Sequence, residues 1–236
     1  MTGLDKPTPK FKAATWNVFH GTSVDTLLPV LEQLLAEGVS VLLLQEAAGA
    51  DIATMLRSKG LKFARLDQCL VAWDPIWACV NTADARLSET RYSRVGGALA
   101  PPNRSPLVVL SDPWGRTLTA VSYHMPAGVQ RGGKVNPKVP KRTRIIEESF
   151  GTMRDLAASA ETRAILFGGD DNFDERRGRW DVLLRPFTRL KLVQAPRPTH
   201  GRRRIDDFRV RHLKPGKGST LAGGGDHRVH VREFSW

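Results

Sequence analysis

Asp170 and Asn172 stand two residues apart in the stretch Ile165-Leu166-Phe167-Gly168-Gly169-Asp170-Asp171-Asn172-Phe173-Asp174. Residues i and i+2 of an extended segment point to one side, so this carboxylate and this amide can face a single ligand. A carboxylate suits a hard divalent ion and an amide suits a phosphate oxygen, a pairing fitted to phosphate-ester hydrolysis. For these residues alone, a strand followed by a polar turn is the simpler explanation.

The element that must position them is a strand. Residues 164–167 are apolar, as in a strand buried on both faces, and Gly168-Gly169 is expected to end it. The arrangement recurs along the chain. Residues 11–18 read as a strand with Asn17 near its end, and the apolar run 39–44 delivers Gln45-Glu46. Residues 107–110 and 117–123 read as adjacent strands joined by Asp112-Pro113-Trp114-Gly115, with His124 at the end of the second. Further strands are expected at 190–194, at 205–210 around Asp206, and at 229–234 after Asp226-His227. Taken singly, each polar residue has an ordinary explanation: Asn17 as a turn former, Glu46 as a helix-start carboxylate, His124 as a satisfied strand-end residue, Asp226-His227 as a loop pair. Together they trace the rim of a sheet, where catalytic groups gather.

The helical pattern is clear at 24–37, where Val24, Leu27, Leu28, Leu31, Leu34 and Leu35 form one stripe. Ser23 or Asp25 is expected to cap this helix and Gly38 to stop it. Residues 50–59, ended by Gly60, and 141–160, with Ile145, Ile146, Phe150, Met153, Leu156 and Ala157 in phase, give two more helices. A fourth is expected at about 178–184. Short strands broken at Asp74-Pro75 fill 61–80, and the weakly patterned 81–106 is expected to hold a hairpin looping around Gly96-Gly97. Residues 126–140 read as a loop and 216–225 as a flexible, glycine-rich segment. These elements predict an α+β fold in which two mixed β-sheets pack face to face with helices outside, a four-layer α/β/β/α sandwich. A single domain over 1–236 is expected, led by about ten flexible residues.

The 236 residues are 41% hydrophobic, which argues against disorder and allows a sizeable core. Net charge is +12 at pH 7, with an isoelectric point near 10.3, which favours a polyanionic partner. No apolar run approaches membrane-spanning length and residues 1–12 contain no apolar signal core. A cytoplasmic monomer without a membrane partner is the expectation. Cys69 and Cys79 lie in or beside apolar segments and are expected as buried free thiols.

The motifs Thr15-Trp16-Asn17-Val18, Leu43-Leu44-Gln45-Glu46, Tyr123-His124-Met125-Pro126, Gly169-Asp170-Asp171-Asn172, Arg204-Ile205-Asp206-Asp207-Phe208 and Gly225-Asp226-His227 resemble, in order, those of the endonuclease/exonuclease/phosphatase superfamily. The resemblance runs from near the N-terminus to nearly the last strand and implies the deoxyribonuclease-I-like sandwich. It implies a metal-dependent phosphoric-ester hydrolase using Mg²⁺ or Mn²⁺. By position it makes Glu46 the metal acid, Asp226 a further acid at the metal edge, and Asn17 and Asn172 amides that hold the phosphate and the metal shell. It makes Asp170 the residue orienting or deprotonating the attacking water and His227 the histidine beside phosphorus. Asp206 then fixes that ring, and His124 lies near the phosphate and leaving oxygen. Three positions depart from the pattern. Phe19 replaces a polar residue, which puts a second metal in doubt. Asp171 and Asp207 replace an aromatic or aliphatic residue and a Tyr, and the Asp171 side chain is expected in water. His20 and His200 match no family position and read as loop residues.

The superfamily does not fix the substrate. Residues 128–145 carry Arg131, Lys134, Lys138, Lys141, Arg142 and Arg144 with no acid, and 197–217 carry Arg202, Arg203, Arg204, Arg209, Arg211, Lys214 and Lys217. Two basic flanks beside a phosphodiesterase site favour a nucleic-acid backbone, DNA first, with RNA open. Arg131, Lys138, Lys141, Arg142, Arg203 and Arg204 are the candidate substrate contacts, against the alternative of a solvated surface. A phosphatase or diesterase acting on a small or lipid phosphate, and a silent nucleic-acid-binding homologue, are the competing readings.

Overall fold

The structure, a computed structural model, describes residues 9–91, 103–131, 134–159, 164–174 and 190–236. In chain order these form β1 (Lys10–Asn17), α1 (Val24–Ala36), β2 (Val39–Gln45), α2 (Ala50–Ser58), β3 (Lys62–Leu66), β4 (Cys69–Trp73) and β5 (Ala78–Arg86). There follow β6 (Arg104–Ser111), β7 (Thr117–His124), the short β8 (Gln130–Arg131) and β9 (Lys134–Val135), α3 (Pro140–Ser159) and β10 (Ala164–Asp170). The last strands are β11 (Lys191–Val193), β12 (Asp206–Arg211), β13 (Lys214–Ala222) and β14 (Arg228–Ser235).

Two six-stranded mixed sheets carry the architecture, ordered β13-β14-β1-β2-β4-β3 and β11-β12-β10-β7-β6-β5. Their inner faces meet: Phe11, Val41, Leu43, Val71 and Trp73 of one pack against Val108, Leu110, Leu118, Leu166, Phe208 and Val210 of the other. The outer face of the first sheet is covered by α1 and α2, where Leu27, Leu31, Leu34 and Met55 bury Trp16, Leu42, Leu44 and Leu70. The second is covered by α3, with Ile146, Phe150 and Met153 on Val121, Tyr123, Ile165 and Phe167. Four layers result, as the apolar periodicities require. Gly38 (φ 80°) takes the left-handed position that stops α1, its N–H donating to Leu35 O at 2.9 Å.

Strand direction sets where the chemistry gathers. β1 and β2 run parallel, as do β7 and β10, while β12 and β14 run antiparallel to β10 and β1. The C-terminal ends of four strands and the starts of two others therefore share one edge. Alternation then sets which side chains look inward. Phe11 and Ala13 continue to Asn17, Leu118 and Ala120 to His124, Ala164 and Leu166 to Asp170, and Val210 and Phe208 back to Asp206. The same face that builds the inter-sheet core delivers, one turn of the pleat further, the polar rim.

Three local expectations are corrected and one is met. Gly168-Gly169 does not end its strand; β10 continues to Asp170, and the glycines answer to close packing. A Cβ at Gly168 would fall 2.4 Å from Leu43 Cδ1, and one at Gly169 would fall 2.1 Å from the Tyr123 carbonyl oxygen. Most of the segment expected to be flexible is edge strand β13, whose Gly218 pairs with Arg232 and Thr220 with His230. Residues 81–86 extend β5, which pairs antiparallel with β6 to make the expected hairpin. Cys69 is buried and free, but Cys79 is exposed on edge strand β5. The expected helix at 178–184 and the Gly96-Gly97 loop lie outside the described residues. No described helix is long and apolar enough to cross a membrane.

Candidate active site

A cleft of about 880 Å³ opens at the shared edge, lined by Glu46, His124, Asp170, Asn172, Asp226 and His227 together with Phe19, His20, His200, Arg104, Arg142 and Arg203. The register brings the acids together: Asn17 pairs with Gln45, while Asp170 pairs with His124 on one side and Asp206 on the other.

Asn17 is buried behind this floor. Its Nδ2 donates to Glu46 Oε1 at 3.0 Å and to Asp170 Oδ2 at 3.0 Å, and its Oδ1 accepts from Phe19 N at 2.9 Å. The amide thus ties two carboxylates and offers its own oxygen to the backbone. Glu46 would face outward by strand alternation, but its left-handed backbone (φ 57°) follows β2 directly, and its carboxylate is among the groups lining the cleft. Burial pushes the Glu46 pKa up, yet hydrogen bonds from His20 and Asn17 and the nearby His124 outweigh it, and the net direction is down. Beneath it Gln45 Nε2 donates to Ser122 Oγ at 3.0 Å and Leu43 O at 2.9 Å, and Ser122 Oγ donates to Leu44 O at 2.7 Å. This polar tie links β2 to β7 directly below the acids.

Asp170 is buried, accepts the Asn172 N–H at 2.7 Å through Oδ1, and lies with Oδ2 3.5 Å from His124 Nε2. Burial raises its pKa, but His124 foremost, then His227 and Asn17, hold it below the usual carboxylate range. Asn172 adopts φ 56° and its Nδ2 donates to Met125 O at 2.8 Å, with His124 Nε2 2.9 Å away. A neutral ring accepts that second contact. Burial lowers the His124 pKa, but Asp170 and Glu46 raise it overall.

His227 Nδ1 meets Asp206 Oδ2 at 2.9 Å, and its Nε2 lies 3.8 Å from Asp170 Oδ2. Burial works against the imidazolium, but Asp206, then Asp170 and Asp226, lift its pKa to about 9. Asp206 is raised in turn, by burial and by Asp170, with His227 and Thr199 pulling the other way. The pair holds the ring charged at neutral pH, with Nε2 turned toward the Asp170 side of the cleft.

Two histidines that match no motif stand in the same cleft. His20 Nδ1 lies 2.8 Å from Glu46 Oε2. His200 stacks on His227 with ring centroids 4.7 Å apart and has Nε2 3.3 Å from Asp226 Oδ2. Arg203 Nη2 donates to His200 Nδ1 at 2.9 Å, so the Nε2–H faces the acid. His20 sits three residues after Asn17, before the turn at Gly21, and no periodicity marks it. Arg104, also unforeseen, forms a bidentate pair with Asp67 at 3.0 and 3.1 Å on the cleft wall.

Of the expected substrate cations, Arg142 and Arg203 line the cleft. Arg131, Lys138 and Lys141 are exposed and are not among its lining residues, and Arg204 Nη2 donates to Pro196 O at 3.1 Å. Asp171 does not point to water. It is fully buried, accepting from Arg209 Nη2 at 2.7 Å and from the Tyr123 hydroxyl at 2.9 Å, because alternation sends it away from Asp170 and Asn172 and into the layer under α3. Asp207 is buried too, accepting Ala195 N–H at 2.8 Å on the face opposite Asp206.

The fold is shared with solved structures. The chain has the endonuclease/exonuclease/phosphatase fold. An endonuclease/exonuclease/phosphatase family protein from Bacteroides thetaiotaomicron superposes with a TM-score of 0.74 at 14% identity, covering 98% of this chain and 99% of that one. D. rerio TDP2 complexed with single-strand DNA product gives 0.76 at 13% identity, covering 96% and 99%. A mannosyl-6-phosphatase from Bacteroides thetaiotaomicron gives 0.72 at 15% identity, covering 96% and 100%. No family model and no curated protein matches the sequence.

Proposed function

We propose that this chain is a divalent-metal-dependent phosphoric-ester hydrolase that cleaves backbone phosphodiesters of nucleic acid, DNA foremost. The observation carrying this reading is the pairing, in one cleft, of the Glu46–Asn17–Asp170 acid bridge with the Asp206–His227 dyad. Glu46, ionised and lining the cleft, fits a hard Mg²⁺ or Mn²⁺ ion, with Asp226 as a further oxygen donor on the rim. A divalent ion held there supplies charge neutralisation at a phosphate oxygen.

The remaining work falls to the side chains. Asp170, an ionised acceptor, orients a water for in-line attack and takes its proton as the ester P–O bond on the far side of phosphorus breaks, the departing oxygen taking a proton from solvent. His227, kept as imidazolium by Asp206, donates from Nε2 to a phosphate oxygen as negative charge builds on it. His124 and Asn172, in contact with each other, frame the opposite side of the phosphate. Arg104, Arg142 and Arg203 offer cations to the flanking backbone.

The likeness to a TDP2 bound to single-strand DNA supports the nucleic-acid reading. A second reading, a phosphatase for a small phosphate ester, draws support from the mannosyl-6-phosphatase likeness and from the fact that most of the basic flank lies outside the cleft. The deciding experiment offers purified protein single- and double-stranded DNA, abasic duplex, RNA and small phosphoesters, each with Mg²⁺, Mn²⁺ or EDTA. Oligonucleotide cleavage that needs the metal supports the nuclease. Turnover of monoesters alone transfers the case to the second reading.

A further inference from the structure

Among the described residues four large hydrophobic side chains are exposed: Phe19, Ile76, Val80 and Trp114. Of these, Phe19 lines the catalytic cleft, with 39% of its surface open. Its backbone is left-handed (φ 52°), which a bulky L residue rarely adopts and which persists where the surroundings over-determine it. Here they do. Phe19 N donates to Asn17 Oδ1 at 2.9 Å, and Phe19 O accepts from Thr22 N at 2.8 Å. A Cβ on Gly21 would lie 3.4 Å from Phe19 Cε1 and one on Gly225 would lie 3.3 Å from Phe19 Cβ, so this residue is wedged between the loop after β1 and the loop carrying Asp226. An apolar ring thus stands open to water on a fixed backbone, two residues from the amide that ties both acids. The His20 ring lies beside it at 5.2 Å, tilted by 53°, and reaches back to Glu46.

Resting on the nucleic-acid reading of this cleft, we propose that Phe19, with His20 alongside, is a stacking platform for the nucleobase next to the scissile phosphate. A rigid aromatic face beside a row of cations is the combination that holds single-stranded nucleic acid: the ring takes any base, and the cations take the phosphates. Arg104, Arg142 and Arg203 supply the second part in the same cleft. An acyl chain would require an apolar trough, whereas this ring stands among carboxylates, imidazoles and guanidinium groups.

The test compares binding of two single-stranded octamers of equal charge, oligo-dT and a wholly abasic deoxyribose-phosphate chain, by fluorescence anisotropy in EDTA at fixed salt. Wild-type protein is expected to bind the base-bearing strand at least ~5-fold more tightly, the low end of what one stacked base contributes. Phe19→Leu, which keeps bulk without a π face, should bring the two affinities within about twofold, and Phe19→Trp should restore the preference. Thermal melts of both variants confirm that they fold. Equal wild-type affinities, no binding of either strand, or a preference that survives in Phe19→Leu overturns the platform. Hydrolysis of a minimal phosphodiester with Mg²⁺ or Mn²⁺ is measured alongside. Turnover without base preference removes the platform and keeps the hydrolase; base preference without turnover under any metal does the reverse.

Discussion

Asp206 Oδ2 and His227 Nδ1 lie 2.9 Å apart, 21 residues separated in sequence, across the gap between the two sheets. One carboxylate oxygen thereby fixes the tautomer, the orientation and the charge of the ring. His227→Ala is expected to cost at least ~10²-fold in turnover, the range of lost acid–base or electrostatic catalysis. Asp206→Asn should cost a sizeable part of that and pull the basic limb of the pH–rate profile downward, because the imidazolium loses the partner that holds its pKa near 9. In the double variant the two losses should fall well short of multiplying, since the residues act as one unit. Multiplicative losses would mean that the dyad is not the working unit.

Glu46 carries the metal expectation. Phosphodiester turnover should vanish with EDTA and return with Mg²⁺ or Mn²⁺, and Glu46→Gln should raise the ion concentration needed. Calorimetric titration of Mn²⁺ reads the same change without reference to turnover. Undiminished cleavage in EDTA would rule out the metal mechanism.

The Asp171–Arg209 pair sits behind the loop that follows β10, with the guanidinium also 4.5 Å from the centre of the Phe150 ring. Removing one partner of a buried pair strands the other charge, so Asp171→Ala should destabilise the protein by about 3–5 kcal/mol in urea titration. Asp171→Ala with Arg209→Met should lose less than the sum of the two single changes. Additive losses would show that the two side chains contribute independently.

This pair also marks where sequence reading stops. Strand-end residues are legible because a period of two and a chain reversal suffice to place Asn17, His124, Asp170 and Asp206 on one rim. Asp171 misleads because an acid between two site residues looks solvent-facing, and its partner Arg209 is 38 residues away on another strand. Gly168 and Gly169 read as a turn because glycine signals both bends and close approach, and the Tyr123 carbonyl that decides the matter is distant in sequence. His200 reads as a mere loop residue for a similar reason: its ring contact with His227 is a tertiary event with no local pattern.

Charge placement gives a graded expectation. Arg142 and Arg203 line the cleft, whereas Lys138 and Lys141 are exposed outside that lining. Neutralising Arg142 and Arg203 should weaken DNA binding and reduce the log–log salt slope by roughly one unit for each phosphate that no longer meets a cation. Neutralising Lys138 and Lys141 should have the smaller effect. A reversed order, read from binding isotherms over a salt series, would move the nucleic-acid path out of the cleft and onto the surface before α3.

Two histidines should shape stability against pH from opposite sides. His227 has a folded pKa of about 9, above the ordinary value of 6.5. Its contribution is therefore fully present below about pH 6.5 and lost as pH rises through about 9. The size is at most on the order of 3 kcal/mol, and the upward shift of Asp206 offsets part of it. His230 is the reverse case. It is buried beneath the site, its Nδ1 3.2 Å from Asp206 O and its ring 4.8 Å from Phe208, and burial foremost, then Arg232, depresses its pKa to about 3. Its neutral form is what the fold accommodates, so stability present above about pH 6.5 falls as pH drops toward 3. Urea titrations between pH 4 and pH 10 should give a maximum near pH 6–7. His230→Phe should flatten the acid limb and leave the basic one, and His227→Gln should flatten the basic limb and leave the acid one. Limbs that do not respond separately to the two substitutions would show that other groups, with carboxylates first among them, govern the pH dependence.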